Sequence, residues 1–358
     1  MKKVLAIFAV LSFASYGVFA SGCRAEGHGI FAEISKAKAI LKTRTPGYEI
    51  CGGRICNADI LLAVRDPNGQ IETVKIDHTG QVLGNDRIQF DDLDRGMGAT
   101  FSIKGKGYAI LAMKRAVRGR DGQIEDEIYV PYSKEMDTPG MRRRGLAYLR
   151  LVVARARKKL KALKVRSRVY PGKLVADTVP SDVPVTIAII EHIDPDDFSA
   201  YQKARKPITP LIDKVLVTLA LNGDRAYRFC GSRAGALGLF QFTRPTYNLV
   251  CRQYSGASLC PRFAWGAEDH VNAAMASFLL FDSDLKKLDK RRLNYFRRRP
   301  ELKRLFIAAS YNEGPKRAAH NRILDETKNY IQKFRAVWNN FFRSAKKKKR
   351  KKAKKHFA

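Results

Sequence analysis

Apolar and polar positions alternate along this chain in two rhythms, and the changes between them set out its organisation. Residues 31–43, FAEISKAKAILKT, place Ile34, Ala37, Ile40 and Leu41 at the spacing of one face of a helix. From about Ile60 the period shortens to that of a strand. ILLAVRDPNGQIETVKID reads as a hairpin turning at Asp66-Pro67-Asn68-Gly69, and GYAILAMKRAVRGRDGQIEDEIYVPY as a second one turning at Arg120-Asp121-Gly122. Residues 57–133 are therefore expected to form a small β-rich domain, preceded by a segment, 21–56, that holds the short helix and a disulfide loop. Nothing in 57–133 suggests a reaction centre. Helical spacing returns over 141–165, where Leu149, Leu151, Val152, Leu160 and Leu163 stand among many arginines and lysines. Such a basic amphipathic helix can lie on a membrane surface, but a connector packed on its neighbours is the preferred reading. Pro171 and Pro180 then punctuate a linker. Residues 134–180 thus read as connector helix plus linker, and 181–342 as a larger, mainly helical domain. The fold class expected is a multidomain α+β protein, β-rich first and mainly α-helical afterwards.

Candidate chemistry begins in the second domain. Residues 183–198, VPVTIAIIEHIDPDDF, put the carboxylate of Glu191 at the end of an apolar run. An unpaired charge there costs several kcal/mol, so Glu191 is either an ion-pair partner or an acid whose pKa burial has raised. Ser181-Asp182-Val183-Pro184 suits a helix start, a capping side chain followed by proline in the first turn. The β-branched run after it fits a buried strand equally, and period does not decide between them. Two further segments stand out. Residues 232–247, SRAGALGLFQFTRPTY, carry Ser-x-x-Gly-Ala-x-Gly-Leu-x-Gln, and residues 306–315 read FIAASYNEGP. Gly235 and Gly238 permit backbone turns and the close approach of a sugar, while Gln241 offers an amide donor and acceptor. Phe240 and Phe242 serve either as core or as a sugar platform. Thr243 before Pro245 suits a helix cap, and Gly314-Pro315 a helix stop.

In this order, AIIEH, the glycine-rich segment and SYNEGP resemble the lytic transglycosylases of the Slt type, relatives of the goose-type lysozymes, over about residues 183–335. The resemblance implies that 181–342 is a lysozyme-like helical domain with a groove for the glycan strands of peptidoglycan. It implies cleavage of the β-1,4 bond between N-acetylmuramic acid and N-acetylglucosamine, with Glu191 as general acid. The same residue, once deprotonated, then acts as base on the muramic acid C6 hydroxyl and closes a 1,6-anhydro ring. Substrate assistance by the N-acetyl group removes the need for a second protein carboxylate. Protonating a glycosidic oxygen near neutral pH requires an acid of raised pKa, which is what the apolar run around Glu191 would provide. The resemblance also implies that Gln241, Gly238, Phe240, Tyr311 and Asn312 line the groove, with the Tyr311 hydroxyl near the acetamide or Glu191.

The chain departs from that pattern in four places. His192 stands where the family has Ser; Thr243-Arg244-Pro245-Thr246 shifts the proline by one; Glu313 replaces Ala and adds a carboxylate near the site; and Gly235 comes 44 positions after Glu191. Residues 196–230 are therefore an insertion, expected to reshape the groove, act as a lid, or choose between chain ends and interiors, with Cys230 tying it down. Were Glu313, Asp194 or Asp197 to position a water, the product would be hydrolytic and the enzyme a muramidase. A reading of another class keeps the fold without catalysis, as a binder of envelope polyanions or of nucleic acid.

Charge bears on partners. The chain holds 68 Lys and Arg against 34 Asp and Glu, a formal +34. Its opening, MKKVLAIFAVLSFASYGVFA, has two lysines, an apolar run and small residues before Ala20, the pattern of a secretory signal peptide over 1–20. In ASGC, Cys23 stands where a lipoprotein is lipidated, though with Ala20 where Leu is usual. Export sets periplasm or cell envelope as the expected location and puts anionic envelope polymers or a membrane surface ahead of nucleic acid as partners of the excess charge. The lysine-rich run KKKKRKKAKKHFA makes 343–358 a disordered polybasic tail. Cysteines in an oxidising compartment pair by default, and Cys51/Cys56 and Cys251/Cys260, each closing a short loop, are the pairs expected. Zinc is set aside, because no histidine or second CxxC pair lies nearby at ligand spacing. No metal or organic cofactor is implied.

Overall fold

In the computed structural model, which describes residues 28–343 apart from 78, 80, 84–88, 94–100, 105–107, 120, 233 and 320–323, the first helix forms as α1, His28–Lys42. The leader 1–20, Cys23, Arg120 and all but the first residue of the 343–358 tail lie outside the described residues. Ile34, Ala37 and Leu41 are the buried stripe of α1. Next, β1 (Tyr48–Cys51) and β2 (Arg54–Ala58) form a hairpin closed by the Cys51–Cys56 disulfide, as expected. The strands β3 (Ile60–Arg65), β4 (Ile71–Ile76) and β5 (Val82–Leu83) follow, then a separate pair, β6 (Gln89–Leu93) and β7 (Phe101–Lys104), then β8 (Ala109–Arg118) and β9 (Ile124–Tyr129). The main sheet is antiparallel in the order β5-β4-β3-β8-β9. Its β3–β4 turn shows the local chemistry that made it legible: Asp66 Oδ1 accepts the N–H groups of Asn68 (2.9 Å) and Gln70 (2.7 Å), and Gly69 takes φ +83°.

The central strand β3 is buried on both faces. Ile60, Leu62 and Val64 pack with Val74, Ile76, Ile110 and Met113 on one side. Leu61 and Ala63 face α1 on the other, where Val217 and Leu221 from the helical part complete the cover.

That helical part comprises α2 (Pro139–Ala162), α3 (Val175–Thr178), α4 (Asp182–Ile190), α5 (Pro195–Lys203), α6 (Thr209–Asn222), α7 (Arg244–Gln253), α8 (Phe263–Glu268), α9 (His270–Lys286), α10 (Lys290–Arg298), α11 (Pro300–Glu313), α12 (Pro315–Ala319) and α13 (Asp325–Trp338), ending in a π turn over Asn339–Arg343. Several helices start as their sequences dictate. Thr138 accepts from Met141 N–H with Pro139 in the first turn, and Asp194, Asp269 and Asp289 cap α5, α9 and α10. The protein is a mixed α+β fold. No helix among the described residues is long and apolar enough to cross a membrane.

Two stretches knit the fold together. The helix α2, read from the sequence as a connector packed on its neighbours, buries Leu149, Val152, Val153, Ala156 and Leu160 in the helical core. The stretch after it is stitched down by Asp282 of α9, fully buried, which accepts from Ser167 Oγ (2.6 Å), Arg168 N–H (2.7 Å) and Tyr254 Oη (2.9 Å). The 196–230 insertion is tied into the core at its second half. Its helix α6 is buried along its length, and its last residue, Asn222, pairs with both backbone groups of Val130, accepting N–H at 2.8 Å and donating to the carbonyl at 2.9 Å. The insertion joins the sheet to the helices.

The α2–α6 crossing is close enough to be testable. A Cβ added at Gly145 would stand 1.8 Å from the backbone oxygen of Leu216. Alanine in place of glycine gains up to about 1 kcal/mol of helix propensity, but a clash with backbone has no rotamer to escape into, and overpacking costs about 1–3 kcal/mol. Gly145→Ala should therefore lower the urea midpoint. A midpoint that stays or rises would mean the two helices can separate freely.

The expected Cys251–Cys260 bond is absent; both are thiols. Tyr247 Oη donates to the Cys260 carbonyl (2.7 Å) and the Cys260 N–H to Asn272 Oδ1 (2.9 Å), so hydrogen bonds already hold this loop without the bridge.

Candidate active site

The apolar run of the sequence folds as helix α4, all of whose residues from Val183 to Ile190 are buried. Glu191 follows as its C-terminal cap residue, with its N–H on the Ile187 carbonyl at 3.1 Å. It is half-buried, and its carboxyl accepts a hydrogen bond from the hydroxyl of Tyr330 on α13. Burial pushes the Glu191 carboxyl from its ordinary 4.5 up to about 7, against the pull of the Tyr330 hydroxyl and the Lys333 charge. The donor facing it is thus a tyrosine, not the arginine an ion pair would need.

The next residue latches α4 to the glycine-rich segment. His192 stacks on Tyr227 at 3.7 Å between ring centroids, and its Nε2 lies 3.1 Å from the Leu239 carbonyl. Burial lowers its pKa to about 3, so the ring is neutral, and because a carbonyl only accepts, Nε2 carries the proton. The segment itself is a tight loop bridged at Gly231–Leu237 and Leu237–Phe242. Gln241 sits at φ +46° and donates its amide nitrogen to the Gly238 (2.8 Å) and Cys230 (3.0 Å) carbonyls. From α11, the Tyr311 hydroxyl donates to the Phe240 carbonyl, while its ring packs on Phe242 and Phe281. Three segments far apart in sequence therefore meet beside Glu191, the end of α4 through His192, the glycine-rich loop through the Leu239 and Phe240 carbonyls, and the end of α11 through Tyr311.

Several residues expected to line a groove have other tasks. Phe240 and Phe242 are core, with essentially no exposed surface, so neither is a sugar platform. The missing side chain of Gly238 serves packing and not a ligand, since a Cβ there would stand 2.1 Å from the Ala267 carbonyl. Asn312 donates to Thr327 Oγ1 (2.9 Å), which ties α11 to α13 and leaves the acid to Tyr311 and Tyr330. The Gln241 amide nitrogen belongs to the loop, so its carbonyl oxygen is what it can offer a ligand. Asp194 Oδ1 caps α5 through the Asp196 and Asp197 N–H groups (2.7 and 2.9 Å), and Asp197 is exposed in that first turn. Glu313 accepts weakly from Leu324 N–H (3.4 Å), and its Oε1 is buried with no hydrogen-bond partner.

Two residues at the site were not anticipated, Tyr330 and Lys333. Their signal lies in DETKNYIQKFRAVW, where Thr327, Tyr330, Phe334 and Val337 share a buried helical face and a lysine occupies the same stripe. Among the described residues no cluster of His, Cys, Asp and Glu is arranged to hold a metal ion. Compared with protein-family models, curated proteins and solved structures, the chain matches none.

Proposed function

We propose that the chain is a lytic transglycosylase of peptidoglycan, with Glu191 as its acid and base. The observation that carries this reading is a carboxyl at the end of a buried helix, raised to about 7 and held by a tyrosine hydroxyl, beside the glycine-rich loop. The motif resemblance supplies the substrate and the lysozyme-like character of the helical half. In the first step the Glu191 proton passes to the glycosidic oxygen, the bond from that oxygen to C1 of N-acetylmuramic acid breaks, and the acetamide oxygen supports the cationic C1. In the second, the Glu191 carboxylate takes the proton of the C6 hydroxyl, O6 bonds to C1, and the enzyme is returned protonated. Tyr330 donates to the carboxylate formed between the steps. Export through the 1–20 leader and retention on anionic envelope polymers by the basic surface and tail complete the reading.

A hydrolytic second reading rests on Glu313, whose unpartnered buried oxygen is suited to orienting a water. Mass spectrometry of fragments released from purified peptidoglycan separates the two. Products lighter by one water, absent with Glu191→Gln, support the transglycosylase. Full-mass reducing ends that also need Glu191 make the protein a muramidase. No release by the wild type removes both and leaves polyanion binding as the activity of the basic surfaces.

A further inference from the structure

A buried lysine without a carboxylate partner is an expense that a fold seldom carries for stability alone. Lys333 is 6% exposed. Its ammonium donates to the Ile193 carbonyl at 2.6 Å and lies over the Phe198 ring at 5.6 Å from the centroid. Among the described residues no carboxylate stands within ion-pair distance of it. A methionine of the same length would fill this space without the desolvation penalty of several kcal/mol that an unpaired ammonium carries.

Its placement shows what the charge is for. Tyr330 and Lys333 lie one turn apart on α13 and grip successive parts of the same chain segment, Tyr330 the Glu191 carboxyl and Lys333 the carbonyl two residues on. The groups facing Glu191 are Tyr330 and Lys333 from α13 and Tyr311 from α11, with His192 on its own segment turned away to Leu239. Asp194 and Glu326 act on Lys333 from further along their own elements. Lys333 is the one cation in that set, since His192 is neutral.

We propose that Lys333 is the positioning residue of the site: it fixes the backbone just beyond Glu191, and its positive charge keeps the acid able to release its proton. This rests on the reading of Glu191 as acid and base. Burial alone would hold Glu191 protonated and make the carboxylate formed in the first step costly. A positive charge held on the carbonyl two residues along offsets that, so one residue can give a proton and take one back near neutral pH. The same charge resists a proton on Glu191, in agreement with the direction in which it acts on the carboxyl.

The test uses the full chain with Lys333→Met, Lys333→Gln and Lys333→Arg. The Glu191 carboxyl is titrated by NMR on protein labelled at glutamate carboxyl carbons, its signal assigned by its loss in Glu191→Gln, and the pH profile of wall cleavage is measured alongside. Met and Gln should raise the Glu191 midpoint by about one pH unit and carry the alkaline limb of cleavage up with it, while Arg leaves both near the wild type. Gln retains a hydrogen-bond donor without charge. A wild-type midpoint in Gln would show that the donor alone matters, and an unmoved midpoint in Met that the charge is not felt; either overturns the proposal. Should Met fail to fold, the Gln and Arg pair carries the same comparison. The titration needs no turnover, so a wild type that cleaves nothing would sink the transglycosylase reading while the charge coupling is still measured.

Discussion

Glu191→Gln is expected to lower wall cleavage by about 10²–10⁴-fold and, at pH 8, to unfold later than the wild type. Both halves of this result rest on the same raised pKa. The Glu191 carboxyl has a pKa of about 7 when folded against an ordinary 4.5, so the folded state holds its proton more tightly than the unfolded chain does. What this group contributes is most favourable at pH below the unfolded value, declines as pH rises through the window up to about 7, and stays lost above it. Between those limits the wild type should give up roughly 1–3 kcal/mol. Glutamine has nothing to titrate and should not. Asp284, raised to about 6 by burial, adds a slope of the same sign, but it is present in both proteins and cancels in the comparison. Melting both at pH 5 and pH 8 is the measurement. Curves that run parallel would mean that Glu191 is not held protonated, and the acid role would go with it. Divergence would place the site among those that keep activity at the expense of stability.

The largest loss of stability is expected from Asp282→Ala. This carboxylate is fully buried on α9 and gathers Ser167 Oγ, Arg168 N–H and Tyr254 Oη, with Thr178 Oγ1 at 3.3 Å. Alanine leaves the buried Tyr254 hydroxyl without this acceptor and takes it also from the part-buried Ser167 hydroxyl and Arg168 N–H. At about 1–3 kcal/mol for an unsatisfied group, and with partial relaxation of the segment, a loss of about 3–5 kcal/mol follows. Urea denaturation reads it, and the segment 163–180 should become sensitive to proteases in the same variant. A loss below about 1 kcal/mol would show that these donors reach water as soon as the carboxylate is gone.

Features that depend on neighbours in sequence were legible, and those that depend on neighbours in space were not. The hairpins announced themselves because Asp66 and Gly69 make their turn with bonds inside four residues. Glu191 stood out because an acid at the end of eight buried residues is rare in any element. Whether that run was strand or helix was not legible, since Val and Ile fit both; the motif resemblance favoured helix. Glycine shows that space is needed but not by whom. Gly238 suggested a sugar and faces Ala267; Gly145 suggested nothing and faces Leu216. Phe240 looked as suited to a groove as to a core because alternation leaves its side undecided. Cys251 and Cys260 are near in sequence, but a hydrogen bond from Tyr247 to the Cys260 carbonyl and one from the Cys260 N–H to Asn272 already hold the intervening turn. Lys333 was hidden by the general excess of lysine, among which one buried example does not stand apart.

The helix α6 gives the middle of the chain a meaning beyond packing. It is the floor of the helical half through Leu216 and part of the roof of the sheet through Val217 and Leu221. Residue 181, the expected start of the helical domain, is therefore not a seam along which the protein comes apart. A fragment starting there would bare one face of α6 to water and leave Asn222 without Val130. The half that bears Glu191 is no portable cassette, and anyone wishing to graft the proposed site onto another scaffold must carry the sheet along.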